Sequence, residues 1–248
     1  MKHAWLVAIA MAWLCSGAHA QVPETGRWQE LSFSAEEVHQ RAATQYRETL
    51  AELAARHQLD DDPAMDKRVR RVAATIIKAA IVLQPKAAAW QWEIHTTSDP
   101  GIDAFCMAGG KLLVGSAFVR RLQLTDGELA TLIGHEVAHA VAEHQREEFS
   151  EALHINPQPA TDLDVIVARL DSDLSLQIGL AKLSSMQESE ADQLGMTIAH
   201  RAGWPASAMV RFYQKLLVIE NPSAISRSHP SASSRLSMAK GLARLFKD

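Results

Sequence analysis

The stretch Ile133–His144 reads I-G-H-E-V-A-H-A-V-A-E-H and holds His135, Glu136 and His139 in an H-E-x-x-H spacing. On an α-helix, positions i and i+4 lie about 40° apart around the axis, so both imidazoles face the same way. Two neutral imidazoles so placed can share one zinc ion, and the Glu between them can activate a water for attack. Leu132, Ile133, Val137, Ala138 and Val141 give this helix an apolar surround. Burying two His and one Glu among them is costly unless something compensates, and a metal ion would.

Such a site needs a third protein ligand and one open position. The nearby His144 would lie far around a continuous helix from His135, which predicts a solvated side chain. Extension of the motif by a glycine and a third histidine is also excluded, because Ala142 and Gln145 occupy those positions. A better candidate is Glu188-Ser189-Glu190-Ala191-Asp192, where Glu188 and Asp192 share a helix face and Glu190 points away, as on a solvated acidic face. One of the paired carboxylates can complete the metal shell while the other accepts a hydrogen bond from a ligand imidazole.

Together, H-E-V-A-H and E-S-E-A-D-x-x-G (Glu188–Gly195) resemble the zinc metallopeptidase family of the CAAX prenyl protease, HtpX and BepA. Asp103–Lys111 (D-A-F-C-M-A-G-G-K) is similar to the family's N-A-F-x-x-P-G-G segment, with Asp103 for Asn and Ala108 for Pro. Ser228-His229-Pro230 and Arg235 resemble its H-P-x-x-x-x-R element. The resemblance spans about Trp90 to Leu236 in order. It implies a zinc metalloendopeptidase (EC 3.4.24 type) with one Zn²⁺ per chain held by His135, His139 and Glu188. Glu136 is then the general base, and Asp192 and Arg235 stand behind the ligands, Arg235 fixing a loop through a carboxylate. His229 joins Glu136 in the expected catalytic set with three readings: oxyanion donor, plug over the zinc, or helix cap.

At 248 residues, 47% hydrophobic and 22% charged, the chain is of a size to bury one core. The net charge of −4 and the lack of a basic stripe argue against nucleic acid as a partner. Lys2 and His3 precede an apolar run, Ala4–Cys15, and then Ala18-His19-Ala20, the pattern of a signal peptide cleaved after Ala20. Twelve apolar residues are too few to cross about 30 Å of hydrocarbon. Export to the periplasm is expected, leaving Cys106 as the only thiol and no transmembrane segment in the mature chain.

Periodicity predicts an α+β fold, mostly helical and zincin-like, with a small antiparallel hairpin beside the motif helix. One domain over 21–248 is expected, with N-terminal helices in 21–85 and a catalytic core in 86–248. Gln21–Ser34 reads as a polar lead-in, Ala35 to about His57 and Ala64–Leu83 as helices, and Trp90–His95 as a strand. Two apolar runs joined through Gly109-Gly110, 104–108 and 111–115, read as the hairpin, with Cys106 an inert buried residue. Thr125-Asp126-Gly127-Glu128 is a capping box opening a helix to about Phe149. A short helix over Ser116–Leu122, a loop over Glu147–Asp162, a weakly patterned stretch helical in places over Leu163–Leu183, and helices over Met186–Ala202, Ala206–Ile219 and Ser231–Phe246 complete the expectation.

An exposed hairpin edge would accept an extended peptide through backbone hydrogen bonds; the alternative is an ordinary core strand. Unfolded or misfolded envelope polypeptides are the expected substrates, in a quality-control role, with the outer-membrane assembly machinery a candidate partner. The rival reading is a periplasmic chaperone or assembly factor whose zinc site is largely latent.

Overall fold

A computed structural model describes residues 18–155, 157, 162–219 and 231–246. Helices dominate, and two small sheets accompany them, as the sequence leads one to expect. The main core lies around helix α4 (Asp126–Val141), which is buried along most of its length. Its N-terminus is closed by the expected capping box: Glu128 N–H donates to the Thr125 hydroxyl, and Thr125 N–H donates to Glu128 at 2.7 Å.

Helix α7 (Leu174–Arg201) crosses α4 at very close range. A Cβ built on Gly134 would stand 2.8 Å from the Gly195 carbonyl oxygen, and one on Gly195 would stand 2.7 Å from the His135 backbone nitrogen. Two glycines are therefore required where the backbones meet. This crossing places the acidic segment of α7 over the two histidines of α4. Helix α2 (Pro63–Leu83) packs on another side of α4 through Val69, Val72, Ala73 and Ile76. Its N-cap is Asp62, whose carboxylate accepts from the N–H groups of Ala64 and Met65, with Pro63 at the first position. Helices α8 (Ala206–Ile219) and α9 (Ala232–Ala243, capped by Ser231) pack on each other and close the far side.

The central strand of the larger sheet is β5 (Lys111–Gly115), fully buried. Strand β4 (Ala104–Met107) pairs with it antiparallel as the expected hairpin and forms one edge. Strand β3 (Glu93–Thr97) joins the other side in parallel, three residues later than the Trp-rich alternation suggests. Trp90 and Trp92 pack instead on the main core, and the Trp92 indole donates to the Ala87 carbonyl. A short helix α3 (Ser116–Arg121) follows β5 as expected. Helix α1 (Ala35–Ala55) carries Tyr46, whose hydroxyl donates 2.6 Å to the Leu112 carbonyl and ties α1 to the sheet.

Four stretches depart from the sequence reading. Gln21–Ser34 is no lead-in: β1 (Ala18–Gln21) and β2 (Trp28–Leu31) form an antiparallel hairpin. Cleavage after Ala20 would leave only Gln21 of β1. The motif helix stops at Val141, because Glu143 takes a left-handed φ of 54°, and a new helix α5 (His144–Ile155) starts in another direction. No glycine or proline marks this break, and a non-glycine residue there costs about 1–2 kcal/mol. The first half of the expected loop over Glu147–Asp162 belongs to α5. Finally, α7 starts at Leu174 under an Asp173 cap, twelve residues before the expected Met186, preceded by α6 (Leu163–Ser172).

Candidate metal centre

Helix α4 presents His135 and His139, and α7 presents Glu188 across the glycine crossing. One donor atom from each of the three lies within 4.8 Å of the others. His135 Nε2 stands 3.2 Å from His139 Nε2, and the Glu188 carboxylate oxygens stand 3.5 Å from the first and 3.4 Å from the second. A tetrahedral zinc shell with bonds of about 2.0–2.1 Å has ligand–ligand edges of roughly 3.4 Å. The three side chains thus match one face of such a shell. His135 and Glu188 are buried, and His139 is partly open toward a cleft of about 370 Å³.

Behind these three side chains, Asp192 holds the outer nitrogen of His135, with Nδ1 at 2.9 Å from Oδ1. Asp192 also accepts from the Tyr213 hydroxyl at 2.5 Å and from Arg235 at 2.6 and 2.8 Å. Arg235 lies 3.2 Å from the same His135 nitrogen, but a nitrogen that donates to Asp192 cannot accept from arginine. Burial alone would raise the Asp192 carboxyl; hydrogen bonds from His135 and Arg235 outweigh it and hold the group well below the usual carboxylate range. The arrangement orients the His135 ring so that Nε2 faces His139 and Glu188.

The model of peptidase family M48 matches residues 63–243. The chain belongs to peptidase family M48. Mitochondrial metalloendopeptidase OMA1 of Arabidopsis thaliana is 30% identical over 125 residues, half of this chain and 26% of the relative. Beta-barrel assembly-enhancing protease of Yersinia pestis is 28% identical over 174 residues, 63% of this chain and 35% of the relative. The Escherichia coli K12 protein of the same name is 27% identical over 164 residues, 59% of this chain and 33% of the relative. The chain therefore spans well under half of these relatives' length.

In this M48 chain Glu136 and His139 line the cleft beside Ala104–Ala108, so the free edge strand β4 forms one wall. The rest of the lining comes from α5, α7 and the α4–α5 link, with Glu143, Gln145, Glu148, Ser184 and Gln187. Gln145 accepts from the Ala108 N–H at 3.1 Å and pins the hairpin turn to α5. Cys106 is a buried thiol whose pKa burial pushes up, as an inert core residue's would be. Burial pushes His139 down to about 4. Burial opposes charge on His135 too, but the Asp192 and Glu188 carboxylates outweigh it and lift the group to about 9.

Two residues read as solvated are buried instead. The break at Glu143 swings His144 back under the metal site, where its Nδ1 lies 3.0 Å from Nδ1 of His139. Glu190, on the α7 face opposite Glu188, meets the β1–β2 hairpin rather than water. Arg27 donates to it at 2.7 and 2.8 Å and also to Glu147, while Gln29 and Gln187 each donate to Glu147 at 2.9 Å. His229 lies outside the described residues. The expected set His135, Glu136, His139, Glu188, Asp192 and Arg235 is brought together; Arg27, Gln29, His144, Glu147 and Tyr213 were not anticipated.

Proposed function

We propose that this chain is a zinc endopeptidase that cleaves unfolded or misfolded proteins of the bacterial envelope. The observation carrying the reading is the His135–His139–Glu188 face turned toward a cleft that also holds Glu136 and a free strand edge. The names of the relatives, metalloendopeptidase and beta-barrel assembly-enhancing protease, support peptidase chemistry and an envelope role. The sequence pattern of residues 2–20 supports export to the periplasm, and the outer-membrane assembly machinery is the partner to examine first. No helix among the described residues is long and apolar enough to cross a membrane.

His135, His139 and Glu188 would hold the ion, with Asp192 fixing the first imidazole. Zinc, when bound, supplies Lewis acidity that acidifies water and polarises a carbonyl. The chain supplies the rest. An extended peptide adds to β4 through backbone hydrogen bonds, which depend little on sequence and suit an unfolded substrate. Glu136 takes the proton of the attacking water and passes it to the leaving amine. The test of substrate class pairs a reduced, unfolded protein with its folded parent. Cleavage of the unfolded form alone is expected, and equal cleavage of both would contradict the reading. Envelope proteins should also accumulate on a Glu136→Gln variant expressed with its leader.

A further inference from the structure

A metal-bound imidazole is aimed by whatever receives its other N–H. For His135 that group is Asp192. For His139 no carboxylate among the described residues is recorded at the outer nitrogen; the neighbour there is the His144 ring, with Nδ1 3.0 Å from Nδ1 and ring planes near perpendicular. His144 is buried, and its Nε2 faces Glu190 Oε2 at 3.5 Å. Glu190 is gripped by Arg27 through both its oxygens. On a continuous helix His144 would point elsewhere, so the left-handed turn at Glu143 is what delivers it.

We propose that His144 is the positioning residue for His139, in a line Arg27–Glu190–His144–His139 that does for the second imidazole what Asp192 does for the first. The direction of the hydrogen bonds follows from the roles. With Nε2 of His139 given to a metal, its Nδ1–H donates to Nδ1 of His144. His144 is then protonated on Nε2, with the Glu190 carboxylate 3.5 Å from that nitrogen, a charge contact short of a hydrogen bond, and Arg27 holds the carboxylate in place. A carboxylate is thus transmitted to the metal ligand through an intervening ring. The N-terminal segment that carries Arg27 becomes part of the support of the metal site.

The inference rests on the zinc reading, and the experiment separates the two. Zinc affinity is measured by chelator competition on the full chain, comparing wild type with His144→Leu and His144→Asn. Asparagine places Oδ1 close to where Nδ1 stood and can still accept from His139. Leucine is expected to weaken zinc by about 10–100-fold, the usual effect of losing such a partner, with asparagine within a few-fold of wild type. The visible spectrum of the cobalt-substituted protein should shift in the leucine variant and not in the asparagine variant. Wild-type affinity in both variants, or equal loss in both, overturns the proposal. If wild type itself binds no zinc, the zinc reading fails first. Wild type alone gives an independent test should a variant not fold: nitrogen NMR of the zinc-loaded protein should show coupling between the two Nδ1 nuclei across the hydrogen bond. Absence of that coupling, or a proton on Nδ1 of His144, contradicts the assignment.

Discussion

Asp192 receives a ligand imidazole, a guanidinium and a phenol in a space closed to water. Removing its charge leaves Arg235 buried and unpaired, which costs about 3–5 kcal/mol where such pairs have been broken. Asp192→Asn should therefore lower the unfolding midpoint strongly and weaken zinc by about 10–100-fold, measured by denaturant melts and chelator competition. Tyr213→Phe removes one neutral donor and should cost about 0.5–1.5 kcal/mol in the same melts, with zinc content retained. At this scale the sequence was legible where residues shared one helix face. His135, His139, Glu188 and Asp192 announce themselves by i, i+4 spacing. His144 and Glu190 do not, because one depends on a turn with no turn residue and the other is covered by a hairpin 163 positions away in the chain.

Between elements, the decisive contact is α4 against α7 at Gly134 and Gly195. Gly195→Ala sets a methyl within 2.7 Å of backbone that cannot move without shifting His135. Forced overpacking of this kind costs about 1–3 kcal/mol. Beyond lower stability, the variant should lose zinc affinity, since Glu188 is carried away from the histidines; an alanine variant with wild-type affinity would show that the crossing does not set the site. The length of α7 escaped the sequence for a physical reason. Of its apolar residues the first half buries only Leu176 and Leu180 while Leu174 and Ile178 stay exposed, so no clean stripe is written there. The β1–β2 hairpin escaped for a related one: inward-facing Gln29 is polar and buried against Glu147 and the Ala142 carbonyl. Hydrophobic alternation is hard to read in a four-residue strand whose two inward positions are one glutamine and one leucine, with Trp28 outward.

Across the whole molecule, Arg27 set between Glu147 and Glu190 ties the N-terminal hairpin to α5 and α7, beside a second ion pair from Glu24 to Arg201 of α7. Burial would raise Glu190, but His144 and Arg27 outweigh it and hold the group at about 2; Glu147 is likewise held down, chiefly by Arg27 against the cost of burial. A carboxyl depressed in the folded state stabilises the fold above its ordinary value of 4.5, and that contribution is lost as pH falls from there toward about 2. Wild type should thus lose stability steadily across that window. Arg27→Met leaves two carboxylates uncompensated, so it should be destabilised near neutrality and lose much less on acidification. Parallel denaturant melts at several pH values read both effects. If the two proteins show the same acid slope, the hairpin is not held by this cluster.

The central claim is that one zinc ion is held by His135, His139 and Glu188 and that Glu136 does the proton transfer beside it. Zinc content and casein cleavage, measured on the same preparations of wild type and Glu136→Gln, test it most directly. The expected result is one zinc per chain in both proteins, with cleavage by the variant reduced by about 10²–10⁴-fold or more. Cleavage by the variant at the wild-type rate, or wild-type activity without bound metal, would contradict it.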